Sequence, residues 1–426
     1  MAGGPVVSTE QFAGHVIDPV RWPDIAAVPG SGPRGEIARL LFKAAAARLP
    51  IRVRLAGGSQ LGAGGADDPV MTVHDPRAFF ARLGAGGLIG FGESYMAGEW
   101  DCADLTGLLT VFAANVSDLV PTPLQRLRRL AVRSQPSADD QTKAGARRNI
   151  GRHYDLSNEF FALFLDETMT YSSALFEAAA DGSPAAADWQ LGPAQRRKID
   201  RLLDQARVGP GSRLLEIGTG WGQLAIQAAR RGAVVRTITI SGRQHELAAR
   251  RVAEAGLADR VSVELRDYRD VSGQYDAVCS VEMIEAVGDR YWDAYFATLD
   301  RLLAPGGRVA LQSITMRHDR MMASRRTYTW ILKYIFPGGL IPSVTAIEDS
   351  LRRQTGLRVV DQHDFGPHYA RTLKIWRDRF NAGRDDVRAL GFDDVFIRMW
   401  EFYLCYAEAG FRAGYLNVSQ LTMERA

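Results

Sequence analysis

The sequence predicts an α/β fold in which a small N-terminal α+β domain precedes a doubly wound, mostly parallel sheet. From Asn149 onward, apolar strands alternate with helix-like segments, as in chains that form a parallel sheet. A glycine-rich turn at Gly218–Gly222 follows the first of these strands and opens a helix. The N-terminal third instead mixes short strands with amphipathic and glycine-dense segments. The predicted parallel strands are 212–217, 234–240, 261–266, 275–281 and 307–314.

The N-terminal third predicts an accessory domain over residues 34–120. Residues 36–50 place apolar side chains at helical spacing, and Ile51–Leu55 alternates as a strand does. The other expected elements are a glycine-rich hairpin or loop at 57–68, a helix at 75–82, a turn region at 84–92 and a helix at 105–119. Residues 1–33 are predicted to be flexible, 121–148 to be a basic linker, and 149–426 to form the larger domain.

The composition is typical of a globular protein with a large core. Of the 426 residues 46% are hydrophobic, and a net charge of +3 indicates no particular partner. The three cysteines (Cys102, Cys279 and Cys405) are far apart and lack metal-ligand spacing, which favours a reducing cytosol and predicts no metal site. We see no signal peptide and no apolar run of the roughly 18 residues that a membrane span needs, so we expect a cytoplasmic protein.

Residues 126–152 form a basic segment with eight Lys or Arg and two Asp. Two interpretations stay open for it. The segment is either a solvated hinge, or a surface that attracts anionic lipid headgroups at about 1 kcal/mol per basic residue. The second interpretation places the protein peripherally at the inner membrane face. Nucleic acid is disfavoured as a partner, because no aromatic residues interleave with these charges.

The stretch Leu214–Gly222 ends a strand in Glu216 and then turns through three glycines. Such a turn lets the backbone approach a ligand closely, and it is typical of dinucleotide sites, of S-adenosylmethionine sites and of plain turns. The next strand ends near Thr239 without the acid that a dinucleotide site expects, which argues against NAD. Gln244 can bond a ribose instead. Asp267 and Tyr268 suit an adenine, although Asp267 in a loop also suits a simple cap.

Further candidates for chemistry follow later strands. Glu282 and Glu285 come after strand 275–281, where they are either site acids or acids favoured by a helix N-terminus. Gln312 near the end of a strand is either a structural link or a site ligand. The apolar stretch Arg317–Pro342 interrupts the β/α order and is either core or a cover over a lipid-like substrate. Tyr369 either begins a helix or donates into a pocket.

These motifs together resemble the cyclopropane fatty acid synthases, which are methyltransferases that use S-adenosylmethionine to modify acyl-chain double bonds. The resemblance spans about 145–426, and in detail it is nearest to the actinobacterial branch linked to tuberculostearic acid. The N-terminal Gly90–Trp100 also resembles the extra module of the phospholipid-using members. The motifs are His153–Phe161, Thr168–Ser172, Glu216–Gly222, Asp267–Asp270, Glu282–Gly288, Phe336–Gly339 and His368–Leu373.

The resemblance implies a seven-stranded methyltransferase sheet and two sets of site residues. One set would bind S-adenosylmethionine, and the other would hold a bicarbonate ion that acts as the base. In the second set Ser173 replaces the family's Cys and Gln312 replaces its His. The cofactor set is Tyr171, Ser172, Glu216, Gly218, Thr219, Gly220, Thr239, Ile240, Gln244, Asp267 and Tyr268. The catalytic set is Ser173, Glu285, Gln312, Ile314 and Tyr369.

The resemblance further implies methylation of an unsaturated phospholipid acyl chain, with oleoyl expected, through a carbocation that must be kept from water. A methylene-branched product, the precursor of tuberculostearic acid, is the leading interpretation. A cyclopropane product is the alternative, and a non-catalytic lipid-binding relative is a third. We hypothesise that Ser173 and Gln312 favour the methylene route. A saturated product would need a separate reductase, and the sequence leaves a homo-oligomer open.

Overall fold

The computed structural model describes residues 17–30, 32–115, 136, 140–146, 156–179, 184 and 190–425. The chain divides into two compact units. The first contains Met1–Leu127 and Arg384–Tyr403, and the second contains Arg128–Gly383 and Leu404–Ala426. Most of the basic segment 126–152 and the whole of His153–Asp155 lie outside the described residues. The domain boundaries inferred from the sequence stay a prediction. The sequence did not lead us to expect that Arg384–Tyr403 belongs to the first unit.

The N-terminal part of the first unit packs helices with a four-stranded sheet of order β2-β1-β3-β4. In this sheet β1 and β3 are parallel, whereas β2 and β4 run antiparallel to their neighbours. The helices are α1 (Pro23–Ala26), α2 (Pro33–Ala46), α3 (Pro76–Gly86), α4 (Leu88–Met96) and α5 (Leu105–Ala114). The strands are β1 (Arg52–Leu55), β2 (Gln60–Leu61), β3 (Val70–Val73) and β4 (Trp100–Cys102).

The turn region predicted at 84–92 is wrong, because these residues belong to α3 and α4. Two of their glycines, Gly84 and Gly90, allow close approach of backbone. A Cβ on Gly90 would lie 2.0 Å from the carbonyl oxygen of Arg82, and one on Gly84 would lie 2.6 Å from the backbone of Arg34. Only Gly87, between the two helices, has a positive φ, of 56°. The sequence pattern suggested turns, whereas helix packing is what requires the glycines.

The second unit contains the elements that surround the candidate site. Its helices are α6 (Asn158–Ala162), α7 (Leu191–Gln205), α8 (Gln223–Arg230), α9 (Gly242–Glu254), α10 (Trp292–Leu302), α11 (His318–Ser324), α12 (Trp330–Tyr334), α13 (Val344–Gln354) and α14 (Gly366–Ala382). Its strands are β5 (Arg213–Ile217), β6 (Val234–Thr239), β7 (Val261–Leu265), β8 (Tyr275–Val281), β9 (Leu303–Met316), β10 (Leu357–Asp364) and β11 (Leu416–Arg425). Helix α15 (Arg384–Ala389) belongs to the first unit, and α16 (Asp394–Arg412) is shared between the two.

The large sheet has the order β10-β11-β9-β8-β5-β6-β7. Neighbouring strands from β9 to β7 are parallel, and β11 pairs antiparallel with both β10 and β9. This confirms the predicted doubly wound, mostly parallel sheet of seven strands. The chain winds outward from β5 through β6 to β7 and then returns to β8 on the other side of β5. Such a reversal opens a crevice at the carboxyl ends of β5 and β8, where ligands bind in this class of fold.

Apolar residues cover both faces of this sheet. Side chains alternate along a strand, so Leu214 and Leu215 of β5 point to opposite faces. Leu214 packs in one core with Ile199 and Leu202 of α7, and Leu215 packs in another with Tyr295 of α10. The sequence analysis assigned no strand after residue 314, although β10 and β11 complete this sheet. Among the described residues, no helix is both long and apolar enough to cross a membrane.

Candidate active site

The three glycines after β5 all adopt backbone angles that favour glycine. Their φ angles are 99° at Gly218, 51° at Gly220 and 89° at Gly222. Gly222 also caps α8, and a Cβ there would lie 3.3 Å from the Cβ of Ala248 in α9. The local sequence therefore builds a tight turn that leads from β5 into α8 and leaves backbone exposed toward the crevice.

This crevice contains a cavity of about 180 Å³ in the second unit. All eleven residues of the predicted cofactor set line it, together with Lys198, Glu282 and Met283. The sequence prediction and the geometry therefore agree on where these side chains meet. Their role in binding stays a prediction. The eleven residues are Tyr171, Ser172, Glu216, Gly218, Thr219, Gly220, Thr239, Ile240, Gln244, Asp267 and Tyr268.

Glu216 contributes a buried carboxyl group to the lining of this cavity. Its side chain is buried, and its Oε2 atom has no hydrogen-bond partner among the described residues. Burial raises the pKa of Glu216 to about 8, and a hydrogen bond with Thr237 opposes the rise only partly. The group is therefore ready to accept a hydrogen bond from a cationic part of a ligand.

The opposite part of the cavity combines an amide, an acid and an aromatic ring. Gln244 accepts from the Thr239 hydroxyl at 2.9 Å. Asp267 caps a short helical turn, and both of its oxygens accept from the Arg269 guanidinium at 2.7–2.8 Å. Burial acts to raise the pKa of Asp267, but the bonds from Arg269 lower it overall. Asp267 is therefore a cap that also lines the cavity, and its contact with adenine stays a prediction. The guanidinium also lies 5.4 Å from the Tyr268 ring centroid.

At the carboxyl ends of β8 and β9, three donors meet on the carboxylate of Glu282. The backbone N–H of Ser173 donates to its Oε1 at 2.9 Å, and Gln312 Nε2 donates to the same atom at 2.8 Å. The Tyr369 hydroxyl donates to Oε2 at 2.7 Å. Three members of the predicted catalytic set therefore surround Glu282, which that set omitted.

Gln312 is held in this orientation by its neighbour across the sheet. It lies opposite Gln420 in the register of β9 and β11. Gln420 Nε2 donates to the Gln312 side-chain oxygen at 3.1 Å, and Arg201 in turn donates to Gln420 at 2.8 Å. With its oxygen occupied, Gln312 directs its amide nitrogen to Glu282. It is thus both a structural link and a ligand of that carboxylate.

The remaining two members of the predicted catalytic set bind each other. Glu285 Oε1 accepts from the backbone N–H of Ile314 and from the Ser313 hydroxyl. Its Oε2 atom has no hydrogen-bond partner among the described residues. Burial and the nearby charge of Glu282 raise the pKa of Glu285 to about 8. These surroundings therefore favour the protonated form of Glu285.

Lys198 is the cation of this cluster. It is fully buried in α7, and its Nζ donates to the Ser172 hydroxyl at 2.6 Å and to the Ser173 carbonyl at 3.2 Å. Burial lowers the pKa of Lys198 to about 8, while the nearby Glu282 charge opposes that shift. The sequence analysis missed Lys198, because a lysine in an amphipathic helix is normally exposed.

The family model described as mycolic acid cyclopropane synthetase matches residues 141–421, which include β5–β10, the first part of β11 and the whole cavity. The chain belongs to this family. A protein of Mycobacterium tuberculosis named tuberculostearic acid methyltransferase UfaA1 is 55% identical over 425 residues, 98% of this chain and 99% of the relative. The cyclopropane-fatty-acyl-phospholipid synthase of Escherichia coli is 34% identical over 350 residues, 82% of this chain and 86% of that one.

Solved structures agree with this assignment. The mycolic acid cyclopropane synthase CmaA1, in complex with SAH and CTAB, has a TM-score of 0.59 and 30% sequence identity. The match covers 68% of this chain and 99% of that one. The cyclopropane synthase MmaA2 from Mycobacterium tuberculosis has the same TM-score and identity over 65% of this chain and 97% of that one. These comparisons confirm the predicted family, the methyltransferase fold and the enzyme class.

Proposed function

We propose that this enzyme transfers a methyl group from S-adenosylmethionine to the double bond of an unsaturated phospholipid acyl chain, with oleoyl as the expected chain. The expected product carries a methylene branch and is a precursor of tuberculostearic acid. The observation that carries the proposal is the cavity in which the glycine turn meets the hydrogen-bonded Glu282 carboxylate. The 55% identity with a tuberculostearic acid methyltransferase supports the choice of substrate and product.

The cavity suits S-adenosylmethionine by the chemistry of its lining. The glycine turn offers backbone close to a ligand, and Glu216 Oε2 is available to accept from the ligand's ammonium group. Gln244 offers an amide to a ribose hydroxyl, and Tyr268 offers a ring face to adenine. When bound, S-adenosylmethionine supplies a strongly electrophilic methyl group.

An alkene is a weak nucleophile, so methylation of the acyl chain leaves a carbocation on that chain. The site must therefore exclude water and provide a base. The segment Phe336–Leu340 of the predicted cover lies against the acidic turn, because the Leu340 N–H donates to the Glu285 carbonyl oxygen at 2.8 Å. In the same stretch, Met321, Trp330 and Ile335 are buried. We propose that residues 317–342 shield the acyl chain.

The residues present do not fit the bicarbonate base that the resemblance implies. An external anion at this place would need the N–H of Ser173, the amide of Gln312 and the hydroxyl of Tyr369 as donors. All three already bind the carboxylate of Glu282. We therefore derive no proton transfer through bicarbonate.

The proposed function is tested by incubating the protein with methyl-labelled S-adenosylmethionine and vesicles of oleoyl phospholipid. The released fatty acids are then analysed by mass spectrometry and NMR. We expect the label in an exocyclic methylene group. Upfield cyclopropane protons would instead assign the alternative activity of a cyclopropane-fatty-acyl-phospholipid synthase. Vesicles of saturated phospholipid are the control, and absence of label from both lipids would refute the proposal.

Two finer parts of the proposal concern partners. We propose that the basic segment 126–152 attracts anionic lipid, so that sedimentation with vesicles should fall as salt is raised. In its described part, Lys143 is paired with Asp270. We also propose that a separate reductase forms any saturated product. Vesicles without anionic lipid are the control for the membrane attraction. A saturated product formed by the purified protein alone would refute the need for a separate reductase.

A further inference from the structure

Glu282 combines three properties that a structural side chain does not need. It lines the cavity, it is half-buried, and its carboxylate accepts from three fixed donors. Its backbone has a φ of 48°, in the left-handed region that glycine favours. A non-glycine residue in that region costs about 1–2 kcal/mol, and such strain concentrates at functional sites. The strained backbone here directs an acid into the cavity.

We infer that Glu282 is the general base of the reaction, a carboxylate built into the chain at the position where a free anion would otherwise bind. The inference rests on the proposed function, because only the methylation of an alkene creates a carbon acid for this base. It assigns a catalytic residue that the resemblance does not supply. The donors from Ser173, Gln312 and Tyr369 then orient the base, and they do not act on the substrate themselves.

The hydrogen-bond donors favour the negative charge on Glu282 and the proton on Glu285. Glu282 has three donors and the buried ammonium of Lys198 nearby. Glu285 has two donors and an Oε2 atom without a partner among the described residues. Burial raises the pKa of Glu282, and Lys198 together with the three donors opposes that rise. When two neighbouring carboxyl groups share one charge, the group with the better donors keeps it.

The proton transfer balances without any further reactant. The alkene π pair forms the bond to the methyl carbon, and the electrons of the broken sulfur–carbon bond stay on sulfur. A hydride shift within the chain then moves the positive charge to the methyl-bearing carbon. Glu282 takes a proton from the new methyl group, and the electrons of that C–H bond form the exocyclic C=C bond. The proton leaves the site later through exchange with water.

The experiment compares the full-length protein with Glu282→Gln and Glu282→Gly on oleoyl-phospholipid vesicles. Glu282→Gln should lower kcat by about 10²- to 10⁴-fold, the usual contribution of a general base, with little change in affinity for S-adenosylhomocysteine. Glu282→Gly also removes the backbone strain and frees the three donors. Adding formate or bicarbonate should therefore raise the activity of Glu282→Gly at least tenfold. Arg207→Gly is the matched control, because exposed Arg207 also has a positive φ, of 55°, away from the cavity.

A third measurement needs no variant. The wild-type protein should keep its activity, within about twofold, in buffer freed of carbon dioxide. Loss of activity there, with recovery on adding bicarbonate, would overturn the inference, as would a Glu282→Gln variant of full activity. Failure of Glu282→Gly to respond to either anion counts against it as well. If the wild-type protein labels no lipid at all, the proposed function fails instead, so the two failures are distinguishable.

Discussion

Replacing Glu216 with Gln should remove part of the pH dependence of stability. Glu216 is fully buried, and its pKa lies near 8 in the folded protein against an ordinary value of 4.5. Between pH 4.5 and about pH 8, the carboxyl group of Glu216 keeps its proton in the folded state and releases it in the unfolded state. The free energy of unfolding therefore falls as pH rises, by about 1.4 kcal/mol per pH unit and by about 5 kcal/mol in all, as an upper limit. Gln cannot titrate, so Glu216→Gln should lack this loss.

Urea unfolding of the ligand-free protein at several pH values between 5 and 7.5 measures the effect. The two proteins should be similarly stable at pH 5, and the variant should become progressively more stable than the wild type above it. Glu285, whose pKa is also raised to about 8, titrates in both proteins and cancels from the difference. Glu254→Gln, on the exposed end of α9, is the control. Parallel curves for wild type and Glu216→Gln would refute the reasoning.

The same residue links stability to ligand binding. A ligand ammonium beside Glu216 would favour its ionised form, so binding of S-adenosylhomocysteine at pH 7 should release a proton. Calorimetry in two buffers of different ionisation enthalpy counts that proton. We expect release from the wild type and none from Glu216→Gln. Equal proton counts would show that the ammonium does not lie against this carboxyl group.

Three further predictions concern the glycines and the product. Gly222→Ala should lower the free energy of unfolding by about 1–2 kcal/mol, because the φ of Gly222 is positive. Gly256→Ala is the control: its φ is also positive, so it should lower stability similarly, but only Gly222→Ala should weaken the binding of S-adenosylhomocysteine. Gly90→Ala should cost about 3 kcal/mol or more in urea unfolding, because its Cβ would overlap backbone; a neutral result would contradict this packing. Ser173→Cys with Gln312→His should raise the cyclopropane fraction seen by NMR, and an unchanged ratio would reject their role in product choice.

Features that depend on short stretches of sequence were predictable. The glycine turn at Gly218–Gly222 and the acid at Glu216 follow from residue types at fixed spacing, because only glycine tolerates the backbone angles there. The five predicted parallel strands match β5–β9 closely, since strands buried on both faces read as short apolar runs. Their alternation with helices then determines the type of sheet.

Features that depend on distant pairing were not predictable in this way. Strand β10 alternates exposed with mostly half-buried residues, and it exists because it pairs with β11 more than fifty residues later. The glycines near Gly90 resemble a turn in sequence, but they are required by the approach of another helix. The role of Glu282 depends on donors from three separate segments, at Ser173, Gln312 and Tyr369. The residues next to Glu282 in sequence do not indicate that these three donors bind its carboxylate.

The charges around the cavity are difficult to explain by stability. Glu216, Glu282 and Lys198 line the cavity, and Glu285 lies just beyond Glu282 in sequence. Glu216 and Lys198 are buried, Glu282 and Glu285 are half-buried, and burial shifts the pKa of each toward its neutral form. Replacing such groups with apolar residues of similar size is often neutral or stabilising, so a fold alone gives no reason to keep them. Perturbed groups that line a single cleft are instead typical of sites that bind charged ligands and move protons. The strained backbone of Glu282 has the same explanation, since a glycine there would relieve the strain but remove the carboxylate.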